Sequence, residues 1–261
     1  MARFCPLFSG SSGNCLYVGD AESGILVDVG VSARRVETAL SQRGISPSAV
    51  RAILVTHEHS DHTAGLRVLQ KKYHIPVYAS RGTLEALAEN GALAEENKCH
   101  PVNEATVDDF EITAFPTSHD CRESNGFRIA LRDGRTVGIA TDLGCVTDAV
   151  REALYGCDLV HIESNHDVRM LENGPYPYIL KRRILSERGH LSNEACAAEL
   201  LALLERGTTR VVLGHLSREN NLPALAHATA LSVLQAQGAV ENRDFTLHVA
   251  PPENTAPPLI F

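Results

Sequence analysis

The stretch His57-Glu58-His59-Ser60-Asp61-His62 follows the apolar run Ala52-Ile53-Leu54-Val55, from which only Thr56 separates it. It places three imidazoles and an aspartate within one turn-sized segment, and imidazole nitrogens and carboxylate oxygens are ligands that suit zinc, manganese or iron. One tetrahedral ion cannot easily use all four side chains from so tight a turn. We therefore predict two neighbouring ions, one bound by His57 and His59 and the other by Asp61 and His62.

A surface loop that happens to contain several histidines is the alternative interpretation. A His-Glu-His run alone would support a metal site only weakly. The full H-x-H-x-D-H pattern after a strand-like run is much more specific. It also differs from H-E-x-x-H, in which two histidines share a helix face with a catalytic glutamate, so Glu58 receives no catalytic role. The pattern favours a dinuclear metal site.

A site for two ions needs more ligands than one loop supplies. Three further candidates each follow an apolar, strand-like run: His119, Asp142 and His215. A carboxylate can bridge two cations, which suits Asp142. We expect His119 to complete the first ion's ligands and His215 the second's, with Asp142 contacting both.

Further motifs lie around and between these ligands. They are Ser9-Gly10-Ser11-Ser12-Gly13-Asn14, Ser118-His119-Asp120, Thr141-Asp142-Leu143-Gly144, Glu163-Ser164-Asn165-His166-Asp167, Gly189-His190-Leu191-Ser192-Asn193 and Gly214-His215-Leu216-Ser217-Arg218-Glu219-Asn220-Asn221. With the hexapeptide, they resemble the metallo-β-lactamase superfamily over nearly the whole chain, and more narrowly its YycJ/WalJ branch. The resemblance implies an α+β fold, a four-layer αβ/βα sandwich with two mixed sheets and helices outside. It also implies 5′-to-3′ exonuclease activity on DNA.

Composition and length fit one large domain. The chain has 261 residues, of which 44% are hydrophobic, and this is enough for a substantial core. We find no repeat, low-complexity tract or linker that would divide it. The expectation is a single domain over residues 1–261, in which the proline-rich tail 251–261 is irregular. Both halves mix strand-like and helical patterns, as two sheets covered by helices require.

The net charge and the cysteine pattern bear on whether the protein binds DNA tightly and on the cellular compartment in which it works. No apolar run approaches a membrane span, and the N-terminus does not read as a signal peptide. Seven scattered cysteines without a C-x-x-C pair indicate reduced thiols in a cytoplasmic protein. The net charge of −8 argues against tight non-specific binding to long DNA, although it does not exclude catalysis on DNA. The basic cluster Lys181-Arg182-Arg183, followed by Arg188, fits either a solvated helix face or a substrate contact.

The function expected from these features is that of a dinuclear metal-dependent phosphodiesterase. Its nucleophile would be a hydroxide held between two divalent ions, most simply zinc, with manganese or iron also accepted by these ligands. Asp61 would orient this hydroxide and accept its proton. His190 fits equally well as a residue that contacts phosphate or protonates the leaving group, and as a structural residue at a helix entry.

Several other polar residues are candidates for contact with substrate. They are Ser11, Ser12, Asn14, Asn165, His166 and Asn193. Each also has a structural alternative, because serine and asparagine commonly satisfy backbone groups in turns and at helix starts. The sequence leaves these alternatives open.

Two other functions are alternatives to a DNA phosphodiesterase, and the same residues fit the first better than the second. A two-metal centre could hydrolyse a small phosphodiester, a thioester or a lactone instead of DNA, because substrate choice depends on the pocket rather than the fold. A metal-stabilised binding protein would have a damaged ligand set, whereas every expected position is filled here. The sequence does not determine the oligomeric state.

Overall fold

Two seven-stranded sheets form the centre of the computed structural model, which describes residues 1–261. The first sheet has the order β14-β1-β2-β3-β4-β5-β6. Its strands are β1 (Arg3–Phe8), β2 (Cys15–Gly19), β3 (Gly24–Val27), β4 (Val50–Leu54), β5 (Val77–Ala79), β6 (Cys99–Pro101) and β14 (Leu259–Ile260). Strands β14 to β3 pair antiparallel, and β3 to β6 pair parallel, so this sheet is mixed.

The second sheet repeats this arrangement in the order β13-β12-β11-β10-β9-β8-β7. Its strands are β7 (Glu104–Val107), β8 (Phe110–Pro116), β9 (Asn125–Ala130), β10 (Thr136–Ala140), β11 (Leu159–Glu163), β12 (Arg210–Gly214) and β13 (Thr246–Val249). Strands β7 to β10 pair antiparallel and β10 to β13 pair parallel. Strands β9 and β10 form a hairpin, and Gly134 in its turn has a φ of 82°.

Nine helices accompany the two sheets. They are α1 (Ala33–Ser41), α2 (Ser60–Thr63), α3 (Leu66–Tyr73), α4 (Arg81–Glu89), α5 (Asp148–Leu154), α6 (Val168–Asn173), α7 (Tyr178–Ile184), α8 (Asn193–Glu205) and α9 (Pro223–Ala236). Short 3-10 turns lie at Pro47–Ala49 and Glu96–Lys98. No helix of this chain combines the length and the apolar character that crossing a bilayer requires.

Three apolar clusters hold the layers together. One cluster lies between the sheets and includes Phe4 of the first and Phe127 of the second, both completely buried. A second packs α1, α3 and α4 on the first sheet, and a third packs α5, α8 and α9 on the other. The predicted four-layer sandwich is therefore confirmed.

The structure departs from the sequence expectations in a few short segments. Strands β6 and β7 and helix α6 were not predicted, because each is only three to six residues long and shows little apolar periodicity. The tail expected to be irregular ends in β14, which pairs with β1 in the register Arg3↔Ile260. Burial of Phe261 beyond this strand explains why the tail is anchored.

Candidate metal centre

Loops at the ends of six strands converge on one edge of the sandwich. The hexapeptide follows β4, and other residues of the centre follow β3, β8, β10, β11 and β12. Rigid strands can thus hold side chains that are distant in sequence. Asp28, Asp142 and His215 all have left-handed backbone conformations, with φ of 62°, 58° and 54°. Such conformations are costly for residues other than glycine and concentrate at functional sites.

Three histidines form the first cluster of potential ligands. They are His57, His59 and His119, whose ligand atoms all lie within 4.8 Å of one another. His57 Nε2 is 3.0 Å from His59 Nδ1, so two ring nitrogens face each other at close range. Burial and the neighbouring His62 hold the pKa of His57 well below its usual value, and burial also lowers the pKa of His119. Both rings are therefore neutral near pH 7, as metal ligation requires.

Asp61, His62 and His215 form the second cluster. His62 Nε2 lies 3.6 Å from Asp61 Oδ2. The Asp142 carboxylate connects the two clusters, because its Oδ2 is 3.2 Å from His62 Nε2 while its Oδ1 is 3.6 Å from His119 Nε2. One carboxylate oxygen thus faces each cluster, which is the arrangement expected of a bridging ligand.

The residues of this centre fit two divalent cations. Asp142 Oδ2 and His215 Nδ1 are buried without a hydrogen-bond partner, although they lie 3.0 Å apart. Burial opposes ionisation of Asp142, but His215 and His62 hold the pKa of this carboxyl well below its usual value, so it carries a negative charge. A buried, unsatisfied carboxylate is costly unless a cation or donor compensates it. Nitrogen and oxygen ligands of this kind suit zinc and related metals.

A further carboxylate, Asp28, orients His62 from behind. Its Oδ2 accepts a hydrogen bond from His62 Nδ1 at 2.8 Å, and its Oδ1 accepts one from the Thr56 backbone at 2.9 Å. This leaves His62 Nε2 facing the centre. Sequence reasoning missed Asp28, although an aspartate within the apolar run Ile25–Val29 was a usable signal. Carboxylates in this position fix the tautomer and orientation of a ligating histidine.

We expect Asp28→Asn to weaken binding of the second ion by about 10- to 100-fold, because an uncharged amide holds the His62 ring less well. Competition with a chromophoric chelator measures this affinity directly. Asp109→Asn is the control, since Asp109 is an exposed partner of Arg132. Equal affinities of the two variants would contradict the role of Asp28.

His190 and Glu163 form a second hydrogen-bonded histidine–carboxylate pair beside the centre. His190 Nδ1 donates to Glu163 Oε1 at 2.8 Å, and Glu163 Oε2 accepts from the backbones of Leu143 and Leu191 at 2.7 and 3.0 Å. Burial opposes protonation of His190, but the Glu163 charge raises its pKa to about 9. Ser192, not His190, caps helix α8. The Glu163 carboxylate thus fixes the orientation of the His190 ring, which lines the cleft.

A cleft of about 390 Å³ lies over these clusters. Besides potential ligands and His190, it is lined by Ser11, Ser60, Asn165, Tyr176, Leu180, Arg183, Ile184 and Ser217. Two of the six residues predicted to contact substrate, Ser11 and Asn165, thus lie in the cleft. The Asn165 side-chain amide, however, already donates to the His215 carbonyl at 2.8 Å.

The other four predicted substrate residues lie outside the cleft lining. Ser12 is exposed, whereas Asn14 is buried and places its Nδ2 3.1 Å from His62 Nε2, so it supports the centre. His166 is buried. Asn193 is also buried, and its amide is used by Ser164 and Asn221. His166 and Asn193 are thus buried outside the cleft lining, and their direct contact with substrate stays a prediction.

Of the basic residues 181–183 and 188, only Arg183 lines the cleft. Arg188 donates to the His119 carbonyl at 3.0 Å, and Lys181 donates to the Glu172 carbonyl at 2.8 Å. Arg183 lines the cleft, where its guanidinium pairs with Asp120. Arg182 is exposed on the helix and does not line the cleft.

Comparison with known proteins agrees with this geometry. The family model described as a beta-lactamase superfamily domain matches residues 24–216. The chain is 39% identical to exodeoxyribonuclease YycJ of Bacillus anthracis over 254 residues, covering 96% of each protein. It is 35% identical to exodeoxyribonuclease WalJ of Streptococcus pneumoniae over 260 residues, covering 98% of this chain and 96% of the relative.

The fold is also found in solved structures. The crystal structure of Zn²⁺-bound PqqB from Methylobacterium extorquens superposes with a TM-score of 0.71 over 97% of this chain and 98% of that chain, at 16% identity. At this identity the similarity concerns the fold alone. The sequence similarity to the two exodeoxyribonucleases is high enough to show the family. The chain belongs to the β-lactamase superfamily and, within it, to the YycJ/WalJ family.

Proposed function

We propose that this protein is a dinuclear metal-dependent phosphodiesterase that degrades DNA from the 5′ end. The observation that carries this proposal is the Asp142 carboxylate, which faces both ligand clusters in a cleft that opens to solvent. The relatives named exodeoxyribonucleases, which match along nearly the full length, support DNA as the substrate.

The metal ligands follow from the two clusters. His57, His59 and His119 would hold the first ion; Asp61, His62 and His215 would hold the second, and Asp142 would contact both. Zinc is the simplest occupant, and manganese or iron would be accepted by the same ligand types. Two such ions supply charge that stabilises a phosphoryl transfer and makes water a better nucleophile near neutral pH.

The chain's own side chains then position the reactants. Asp61 is about a quarter exposed and lines the cleft, so its carboxylate can orient an attacking water and accept its proton. His190 lies in the same cleft with its ring oriented by Glu163, and in its protonated form it would donate a proton to the leaving oxygen. The Ser11 hydroxyl is available to a phosphate oxygen.

Free thiols support a reducing compartment for this activity. All seven cysteines are unpaired in the structure. Because disulfides are rare in the cytosol and common in oxidising compartments, we place the protein in the cytoplasm.

End-labelled DNA tests the proposed activity. We expect metal-loaded protein to release labelled mononucleotide at once from a 5′-labelled strand, and to release a 3′ label only after the rest of the strand is degraded. Substrates with a 5′-phosphate and a 5′-hydroxyl should be compared. Hydrolysis of bis-p-nitrophenyl phosphate or a thioester without any release from DNA would refute the exonuclease and indicate a small substrate.

A further inference from the structure

The two walls of the cleft differ in chemistry. One wall carries the ligand clusters. The other is formed by helix α7 and the residue two positions before it, through the side chains of Tyr176, Leu180 and Ile184. Leu180 and Ile184 are four residues apart and therefore share one face of the helix. An aromatic residue and two aliphatic residues thus line the same cleft as a strongly polar centre.

Arg183 adds a single positive charge to this second wall. It is the sole arginine or lysine among the residues that line the cleft. Its Nη2 donates to Asp120 Oδ1 at 2.9 Å and its Nε donates to Asp120 Oδ2, so Nη1 remains available. The side chain is 48% exposed, which leaves one edge of the guanidinium open to an anion. Guanidinium groups bind phosphate oxygens well, because their planar donors match the phosphate geometry.

We propose that this second wall binds the 5′-terminal nucleotide in an unpaired state, with the base against Tyr176 and Leu180 and Arg183 on a backbone phosphate. The inference rests on the proposed function. Apolar and aromatic side chains are what a base face requires, since stacking on an aromatic ring is favourable for every base. The charge complements a phosphodiester held between Arg183 and the metal centre.

The size of the cleft is the reason for an unpaired end. At about 390 Å³ it lies near the lower limit of sites for small ligands, which suits a nucleotide and not a base pair within a duplex. The terminal pair of a duplex must therefore open before its 5′ nucleotide reaches the centre. Opening costs a few kcal/mol and costs least for a mismatched end. The enzyme should consequently distinguish DNA ends by how easily they open.

Helix α7 offers matched controls for both contacts. Tyr178 is 73% exposed and does not line the cleft. Arg182 is also an exposed residue outside the cleft lining. We expect Tyr176→Ala and Arg183→Gln to lower kcat/KM on single-stranded DNA by roughly 10- to 100-fold, mainly through KM. Tyr178→Ala and Arg182→Gln should retain wild-type values, and Tyr176→Phe should do so as well, because it keeps the ring.

A small substrate separates failure of this inference from failure of the proposed function. Bis-p-nitrophenyl phosphate has no polynucleotide chain, and we expect wild-type protein to hydrolyse both this ester and single-stranded DNA. If DNA is degraded but Tyr176→Ala behaves like Tyr178→Ala, the binding wall is wrong and the exonuclease stands. If wild-type protein hydrolyses only the small ester, the exonuclease itself is wrong.

Duplexes with different ends test the unpaired state directly. We expect wild-type protein to remove the first nucleotide at least roughly tenfold faster from a duplex with a 5′-terminal mismatch than from one ending in a G·C pair, since the mismatch removes part of the opening cost. Initial release of the 5′ label gives both rates. Equal rates on the two duplexes would overturn the inference.

Discussion

Asp142→Asn is expected to lower DNA hydrolysis by on the order of 10³-fold or more, because the variant loses the charge that both ions share. Each Asp142 oxygen faces a different cluster, and Oδ2 lies within 3.2 Å of both His62 and His215. An amide keeps the shape but offers one oxygen and an NH₂ group that repels a cation. We therefore expect fewer than two ions per chain by elemental analysis, together with the loss of turnover.

A matched control separates this effect from damage to the fold. Asp158 lies at the opposite end of β11 and accepts a hydrogen bond from the Thr136 backbone at 2.8 Å, far from the ligand clusters. Asp158→Asn should keep both ions and wild-type turnover. If Asp142→Asn also retained two ions and full activity, the assignment of a bridging carboxylate would fail.

The candidate ligands could be grouped from sequence because they lie in loops just beyond strand-like runs. Asp142 and His215 follow β10 and β12, which lie parallel on either side of β11, so both had to lie at one edge of the second sheet. His57 follows β4 of the first sheet, and the packing of the two sheets brings it to the same edge. The imidazoles and the carboxylate of the hexapeptide indicated that these residues bind metal ions. Both halves mix strand-like and helical patterns, which agrees with two sheets covered by helices. The mixed sheets of a four-layer sandwich were expected from the resemblance to the metallo-β-lactamase superfamily.

Side-chain direction could not be predicted in the same way. Asn165 lines the cleft while its neighbour His166 is buried, and a motif alone does not say which of two adjacent side chains faces the cleft. The supporting carboxylates Asp28 and Glu163 were also not recognised, because their role depends on hydrogen bonds to histidines that are 34 and 27 residues away. Such contacts exist only after the loops have converged.

The other large effect concerns the glycine that lets the hexapeptide approach β2. Gly30→Ala is expected to destabilise the protein by about 3 kcal/mol or more, because its methyl group would overlap the carbonyl of Asp61 and the backbone nitrogen of Asn14. These are backbone atoms in a hydrogen-bonded chain, in which Gly30 donates to Asn14 and Asn14 donates to Asp61. Neither can move without displacing a predicted ligand. Denaturant unfolding of the metal-free variant and wild type measures the difference.

Gly134→Ala distinguishes steric overlap from the general cost of losing a glycine. A methyl group there meets no atom within 4 Å, so only its left-handed φ of 82° opposes alanine, at about 1–2 kcal/mol. If the hexapeptide loop shifts to make room in Gly30→Ala, part of the lost stability returns, but Asp61 moves away from His62 and the second ion binds more weakly. Loss of the close contact at Gly30 should therefore lower either the free energy of unfolding or the affinity for the second ion. A variant unchanged in both would show that Gly30 does not hold the loop against the centre.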